Sequence, residues 1–183
     1  MPTMWHRFAE RGDASQMTAI IQALVRAGVK TQILDSDDVS GPGILFFHQV
    51  SPTLCDQLRQ LSRNGRERVL AVAISHTSLV GESAWRLLHS GASDVFAWDH
   101  SDNPASEIAA RFERWTAVDD ILRSDVVRDN LVGGNPAWIS VLRQTIEVAN
   151  FTDASILVCG ESGTGKELVA RLIHTLASGI NTT

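Results

Sequence analysis

The sequence has few cysteines, no excess of positive charge and no long apolar run. The two cysteines, Cys55 and Cys159, lie far apart in apolar stretches, which argues against a disulfide framework or a zinc site. Sixteen Lys and Arg stand against 21 Asp and Glu, without the clustered basic residues typical of nucleic-acid binding. No segment approaches the roughly 18 apolar residues of a membrane helix, and the N-terminus lacks a signal-peptide core. We therefore predict a cytoplasmic protein.

The first 115 residues alternate between apolar strands and amphipathic helices. Strands are predicted at Met4–Phe8, Val29–Leu34, Ile44–Phe47, Val69–Ile74 and Asp94–Trp98. Helices are predicted at Ala14–Ala27, from Pro52, at Ser83–Ser90 and from Pro104. The resulting order, βαββαβαβα, is typical of an α/β fold with a doubly wound parallel sheet that is covered on both faces.

A second, shorter pattern follows this domain. Residues 116–130 have weak helical periodicity and are interpreted as a linker helix or hinge. A helix at Pro136–Ala149, a short apolar strand at Ser155–Cys159 and a helix at Glu167–Leu176 are then predicted. The sequence thus predicts a domain at 1–115, a linker at 116–130 and a second, incomplete domain at 131–183.

Between the last predicted strand and helix lies a glycine-rich loop. Glycines in such a loop let successive backbone N–H groups turn inward and surround phosphate oxygens at the positive end of the following helix. Lys166 would add a full positive charge for the β- and γ-phosphates, and it is one of only two lysines in the chain. The alternative is a glycine-rich turn without a ligand. The predicted nucleotide-binding residues are Gly160, Glu161, Ser162, Gly163, Thr164, Gly165, Lys166 and Glu167.

This loop departs from the general phosphate-loop pattern at one position. That pattern ends in Lys followed by Ser or Thr, whose hydroxyl helps to hold Mg²⁺, whereas Glu167 stands there in this chain. Residues 160–171 resemble the Walker A segment of the sigma-54-dependent transcriptional activators, the AAA+ class of bacterial enhancer-binding proteins, which also have Glu at this place. Leu131–Ala137 is similar to the motif that opens the ATPase domain of that family.

The resemblance implies a bacterial regulator that binds ATP and Mg²⁺ and remodels the RNA polymerase that holds sigma-54. In that family the Walker B acids, the loop that contacts sigma-54 and the DNA-binding helix-turn-helix lie downstream of the matched segment. We expect this chain to hold the truncated start of the P-loop AAA+ domain and to have no ATPase activity. Nucleotide and Mg²⁺ binding would then be weak or absent, and sigma-54 RNA polymerase and DNA would be reached only through the downstream part.

The N-terminal domain resembles a two-component receiver, a flavodoxin-like fold, in strand order and length. The residues that receiver chemistry requires are nevertheless missing: His48 follows the third predicted strand where the phosphorylated Asp belongs, and Trp98 replaces the Lys of the fifth strand. Glu10 and Asp13 are the acids near the first strand, where two or three would hold Mg²⁺. We predict a pseudo-receiver that does not accept phosphate; a displaced working site and an unrelated α/β domain remain alternatives.

Two further hypotheses concern partners. Four aromatic residues could form a dimer surface or belong to the core: Trp85, Trp98, Phe112 and Trp115. We expect self-association through the receiver-like domain and no contact with a membrane. The alternative function is a free-standing interaction module that inhibits or pairs with a full-length regulator.

Overall fold

A computed structural model describes residues 3–10, 12–35, 40–63, 65–128 and 135–180. The chain divides into two compact units, Met1–Arg111 and Phe112–Thr183. The first unit contains a sheet of five strands: β1 Met4–Phe8, β2 Thr31–Ile33, β3 Gly43–Phe47, β4 Val69–Ala73 and β5 Asp94–Ala97.

All strand pairs in this sheet are parallel, and the order across it is β2-β1-β3-β4-β5. This is the flavodoxin-like order of a doubly wound fold. The predicted fold class and the predicted succession of strands and helices in the first domain are therefore confirmed. In such sheets ligands bind outside the carboxyl ends of the strands where the order reverses, which here lies between β1 and β3.

Two of the helices of the first unit begin at a residue whose side chain accepts a hydrogen bond from a free N–H group of the first turn. The helices of this unit are α1 Ala14–Arg26, α2 Pro52–Ser62, α3 Ser83–His89 and the first part of α4 Pro104–Arg123. Asp13 caps α1 by accepting a hydrogen bond from the backbone N–H of Ser15, and Ser51 caps α2 through Leu54 N–H. Short 3₁₀ turns follow β4 and β5, at His76–Leu79 and Trp98–His100.

Helices cover both faces of the sheet. On one face, Trp5, Leu45 and Phe47 pack with apolar residues of α2 and α3, among them Leu58 and Leu87. Alternate strand residues point to the opposite face. There the ring of Phe8 stacks on Phe46 at 4.8 Å between centroids, and the Arg111 guanidinium of α4 lies over the Phe96 ring.

The regular secondary structure in the described residues of the second unit is helical. The unit contains the end of α4, α5 Asp125–Arg128, α6 Pro136–Phe151 and α7 Lys166–Ile180. A small buried cluster holds these helices together: Val118, Val127, Leu142, Ile146 and Leu172. The side chains of Asp119 and Arg143 join α4 to α6 through an ion pair of 2.9 Å, with about a fifth of each side chain exposed.

Two sequence predictions for the second unit need comment. The predicted strand Ser155–Cys159 is wrong, because this segment has no regular secondary structure and Leu157 is 86% exposed. A parallel strand needs a neighbour to bond, and the described residues of this unit supply none. The stretch interpreted as a linker helix or hinge is helical at Pro104–Arg123 and Asp125–Arg128, and residues 129–130 lie outside the described ones.

Candidate functional site

The glycine-rich loop connects the irregular segment after α6 to the first turn of α7. Gly163 and Gly165 both have φ of 82°, a left-handed conformation that glycine adopts without steric cost. Residues 160–164 are exposed, and Gly165 and Lys166 are half-buried. Gly165 O accepts hydrogen bonds from Leu168 N–H and Val169 N–H, so the helix begins directly after the loop. The loop thus leads into a 15-residue helix, whose N-terminus favours an anion.

Lys166 lies across this loop. Its Nζ donates to the carbonyl oxygens of Gly160 and Glu161, at 2.9 and 2.5 Å. Thr164 supports the same turn, since its hydroxyl donates to Glu161 O at 2.7 Å. A Cβ atom on Gly160 would come within 3.0 Å of Thr164 Oγ1, so a side chain at this position would crowd the turn. The ammonium group of Lys166 and the N-terminus of α7 therefore lie close together. This combination favours the binding of phosphate groups.

The side chain of Glu167 makes its contact along α7 and not with the loop. Its Oε1 accepts a hydrogen bond from Arg171 Nη2 at 3.2 Å, one turn along α7, and both side chains are exposed. The hydroxyl that usually helps to hold Mg²⁺ is absent at this position. Among the residues that the structure describes, no group of three or more His, Cys, Asp or Glu side chains is placed to hold a metal ion. The loop therefore fits a phosphate chain, whereas its described surroundings do not fit a bound Mg²⁺.

The second candidate site is the carboxyl edge of the sheet at the β1/β3 reversal. Glu10 and His48 follow these strands, and Glu10 Oε2 accepts a hydrogen bond from His48 N–H at 3.4 Å. A Cβ atom on Gly12 would come within 2.8 Å of His48 Nε2, so the imidazole packs closely on the main chain. Asp13 is not at this site, because its carboxylate caps α1. The structure thus brings together Glu10 and His48 and leaves out Asp13.

Trp98 follows β5 at the same edge, as predicted, and is half-buried. Its ring lies edge-on to the ring of Phe46, with 6.3 Å between centroids. The other three aromatic residues considered for a dimer surface differ in exposure. Phe112 and Trp115 are buried and pack edge to face, whereas Trp85 is 66% exposed. Phe112 and Trp115 therefore belong to the core.

A hydrogen-bonded cluster on the loops after β4 and β5 was not visible in the sequence. Asp99 accepts bonds from Ser75 Oγ at 2.8 Å and from His76 N–H at 2.6 Å, and its carboxylate lies 3.0 Å from His76 Nδ1. Desolvation alone would raise the pKa of Asp99, but the bonds from Ser75 and His76 outweigh it and lower that pKa. The cluster ties two loops at the sheet edge, and residues 23 or 24 apart in sequence give no local signal of it.

Comparison with known protein families adds a match for the second unit. Residues 131–182 match the model of the sigma-54 interaction domain. This part of the chain is therefore similar to the sigma-54-dependent activators. The resemblance found in residues 160–171 is thus confirmed. Of the motif Leu131–Ala137, residues 131–134 lie outside the described ones.

Individual bacterial transcriptional regulators align with different lengths of this chain. The formate hydrogenlyase transcriptional activator FhlA of Escherichia coli is 45% identical over 51 residues, which are 28% of this chain and 7% of that protein. The alginate biosynthesis transcriptional regulatory protein AlgB of Pseudomonas aeruginosa is 32% identical over 125 residues, 66% of this chain and 27% of that protein. The latter alignment is longer than the matched domain and so includes residues outside it.

Among solved structures, the crystal structure of NtrX from Brucella abortus is similar to 98% of this chain and 41% of its own chain. Sequence identity is 21% and the TM-score is 0.48, so this likeness supports no argument about function. The flavodoxin-like assignment rests on the strand order of the sheet itself. The described residues include no helix that combines the length and apolarity needed to cross a membrane.

Proposed function

We propose that this chain is part of a cytoplasmic sigma-54-dependent regulator whose residues 160–167 bind the phosphates of ATP. The observation that carries the proposal is the position of Lys166, with its ammonium group across the glycine loop at the N-terminus of α7. A phosphate oxygen is a stronger, charged acceptor for that ammonium than the neutral carbonyls of Gly160 and Glu161. Contact with sigma-54 RNA polymerase and DNA is part of the same proposal and rests on the family match.

The roles of the loop residues follow from their placement. Gly163 and Gly165 keep the main chain close to the phosphates, and the free N–H groups in the first turn of α7 face the negative charge. Lys166 supplies the full positive charge. When bound, Mg²⁺ would offset phosphate charge. Since Glu167 pairs with Arg171 and no described cluster fits the ion, we do not assign a magnesium ligand to this segment.

A titration of the whole chain with ATP tests the proposal. We expect Lys166→Ala to weaken binding by about tenfold or more, as for the loss of a hydrogen bond to a charged group. The control is Lys30→Ala, because Lys30 is the other lysine, is exposed and precedes β2. The calorimetric titration is run with and without Mg²⁺. Absence of ATP binding in the wild type, or equal affinity in the two variants, would contradict the proposal.

We also infer that the N-terminal domain acts as a regulatory domain without accepting a phosphoryl group. The position after β3 is His48, whose carbonyl accepts a hydrogen bond from Ser78 Oγ and whose N–H donates to Glu10. No carboxylate follows β3 directly, and Trp98 stands after β5 in place of a cation. A receiver uses a carboxylate as the nucleophile and a cation to offset phosphoryl charge. The regulatory input would then be a ligand or a protein contact.

Incubation with acetyl phosphate followed by intact-mass measurement decides this second proposal. The expected result is an unchanged mass after incubation at neutral pH with Mg²⁺. A gain of one phosphoryl group would overturn it, and peptide mapping would then show whether His48 or another residue carries the group.

Sedimentation of the whole chain at increasing concentration tests the proposed self-association, with a constant monomer mass as the contrary outcome.

A further inference from the structure

An open cavity of about 530 Å³ lies between α2 and α3, within the first unit. Its volume is in the usual range for small-molecule sites. Each of its two walls carries one acid and one base: Asp56 and Arg59 on α2, and Glu82 and Arg86 at the start and in the middle of α3. All four side chains are exposed, so a molecule in the cavity can reach their charged atoms.

The two walls differ in how their charges are used. The carboxylate and the guanidinium on α2 pair with each other at 2.5 Å. On the opposite wall, neither Glu82 nor Arg86 has an ion-pair partner among the described residues, and Glu82 does not cap α3 with its side chain. Opposite charges four residues apart commonly pair on a helix, as Glu107 does with Arg111 at 3.3 Å. The α3 wall therefore presents one free charge of each sign.

An aromatic ring stands on the same wall as these two charges. Trp85 lines the cavity and is 66% exposed, although its indole ring is one of the largest apolar groups of the chain. The ring of His89, one turn further along α3, lies 6.5 Å from it between centroids. An exposed indole offers a flat surface on which another aromatic ring can stack. One wall thus combines an acid, a base and a stacking surface.

We propose that this cavity binds a small zwitterion with an aromatic ring, which is the chemistry of an aromatic α-amino acid. The ammonium group of the ligand would donate to the Glu82 carboxylate, and its carboxylate would accept from the forked N–H groups of Arg86. Its ring would stack on Trp85. The wall has as many acids as arginines, so a ligand with a single charge would leave either Glu82 or Arg86 without a partner. The proposal depends neither on ATP binding nor on phosphoryl transfer.

Titration of the nitrogen-labelled whole chain with L-phenylalanine tests the proposal. We expect the indole N–H signal of Trp85 to shift in a saturable manner in the NMR spectrum. The indole of Trp5, buried and bonded to Gly41 O, serves as the internal reference. Two matched ligands each lack one charge: N-acetyl-L-phenylalanine has no ammonium, and L-phenylalaninamide has no carboxylate. In slightly acidic buffer, where the amine of the amide stays protonated, both should bind at least about tenfold more weakly.

Substitutions at exposed positions assign the two charges. Arg86→Gln should weaken L-phenylalanine about tenfold, as for the loss of a hydrogen bond between charged groups. Arg26→Gln is the matched control, because Arg26 is also an exposed arginine in the last turn of a helix and lies outside the cavity wall. Glu82→Gln should weaken L-phenylalanine to a similar extent and remove its preference over N-acetyl-L-phenylalanine, because the partner of the ammonium group is then lost.

Each contrary outcome overturns a defined part of the proposal. Absence of saturable shifts in the wild type at millimolar L-phenylalanine would overturn the site itself. Equal affinity of Arg86→Gln and Arg26→Gln would overturn the role of Arg86. Binding of N-acetyl-L-phenylalanine as tight as that of L-phenylalanine would overturn the zwitterion and would indicate an aromatic anion. None of these results bears on ATP binding at Lys166, which is measured separately.

Discussion

At the scale of single residues, Gly43 shows how closely the first unit is packed. A Cβ atom on Gly43 would overlap the indole ring of Trp5, which is 2% exposed and fixed by a hydrogen bond from its Nε1 to Gly41 O. We expect Gly43→Ala to lower the free energy of unfolding by about 1–3 kcal/mol, the usual cost of overpacking a core. Urea denaturation measures this change.

A second substitution tests the steric reason. Trp5→Phe removes the larger ring, so Gly43→Ala should cost less in the Trp5→Phe background than in the wild type. Equal costs in both backgrounds would show that the indole ring does not cause the loss, because independent sites give additive changes.

The buried His6 makes stability depend on pH in a direction that the structure fixes. Burial lowers the pKa of folded His6 below its usual value of 6.5, so the unfolded chain binds a proton more readily. Stability is therefore full above about pH 6.5 and falls with decreasing pH toward the folded pKa, by at most about 1.4 kcal/mol per pH unit. Urea denaturation of wild type and His6→Leu at pH 7.5 and 5.5 measures the difference.

Both proteins retain the other histidines, so their contributions cancel in this comparison. We expect the wild type to lose more stability than His6→Leu between the two pH values. An equal loss would mean that His6 is protonated as easily in the folded protein as in the unfolded chain.

At the scale of elements, the sequence predicted what depends on local signals. Pro52 marked the start of α2, and the apolar run from Val69 marked β4. The end of α4 was not predictable, because it depends on distant neighbours. Val118 is buried against α6 and α7 residues, so the helix continues to Arg123 through a stretch with little periodicity of its own.

The candidate functional residues also fall into two groups, those that local sequence predicts and those that depend on the fold. The glycine loop at 160–167 could be located from the spacing of its glycines, because the conformations of Gly163 and Gly165 depend on these residues themselves and not on distant neighbours. The burial of His6 and the bonds around Asp99 were not predictable, because each depends on residues that only the fold brings near. Neighbours distant in sequence thus decide where these polar side chains can act.

The segment Ser155–Cys159 carries the element-scale prediction. Its sequence is that of a strand, but Leu157 is 86% exposed and unpaired in the described structure. Leu157→Ser should therefore change the free energy of unfolding by no more than about 0.5 kcal/mol, the range for exposed positions. Leu142→Ser is the matched control, because Leu142 is 2% exposed in the helical cluster and its loss should cost well over about 2 kcal/mol.

Leu157→Ser should also reduce self-association, since an exposed apolar segment with the sequence of a strand is a common site of aggregation. Light scattering at increasing protein concentration measures this. A loss of stability in Leu157→Ser comparable to that of Leu142→Ser would contradict the prediction and would indicate that this segment is buried against a neighbouring strand.

At the scale of the whole molecule, each of the two units contains a buried apolar cluster. Leu45 lies in the apolar cluster of the sheet, and Ile146 lies in the cluster formed by Val118, Val127, Leu142 and Leu172. Both Leu45 and Ile146 have no exposed surface. Truncation to alanine at either should cost about 2–5 kcal/mol within its own unit. If the domain division predicted from the sequence holds, the loss of stability is confined to the unit that carries the substitution.

Hydrogen exchange, measured by mass spectrometry on peptides, shows which segments of the chain lose stability. We expect Ile146→Ala to accelerate exchange in α6 and α7 and to leave β1, β3 and β4 unchanged, because cooperative units open separately when few contacts join them. Leu45→Ala should do the reverse. Faster exchange throughout the chain in both variants would show that the chain unfolds as one unit, and the second unit would then depend on the sheet domain for its stability.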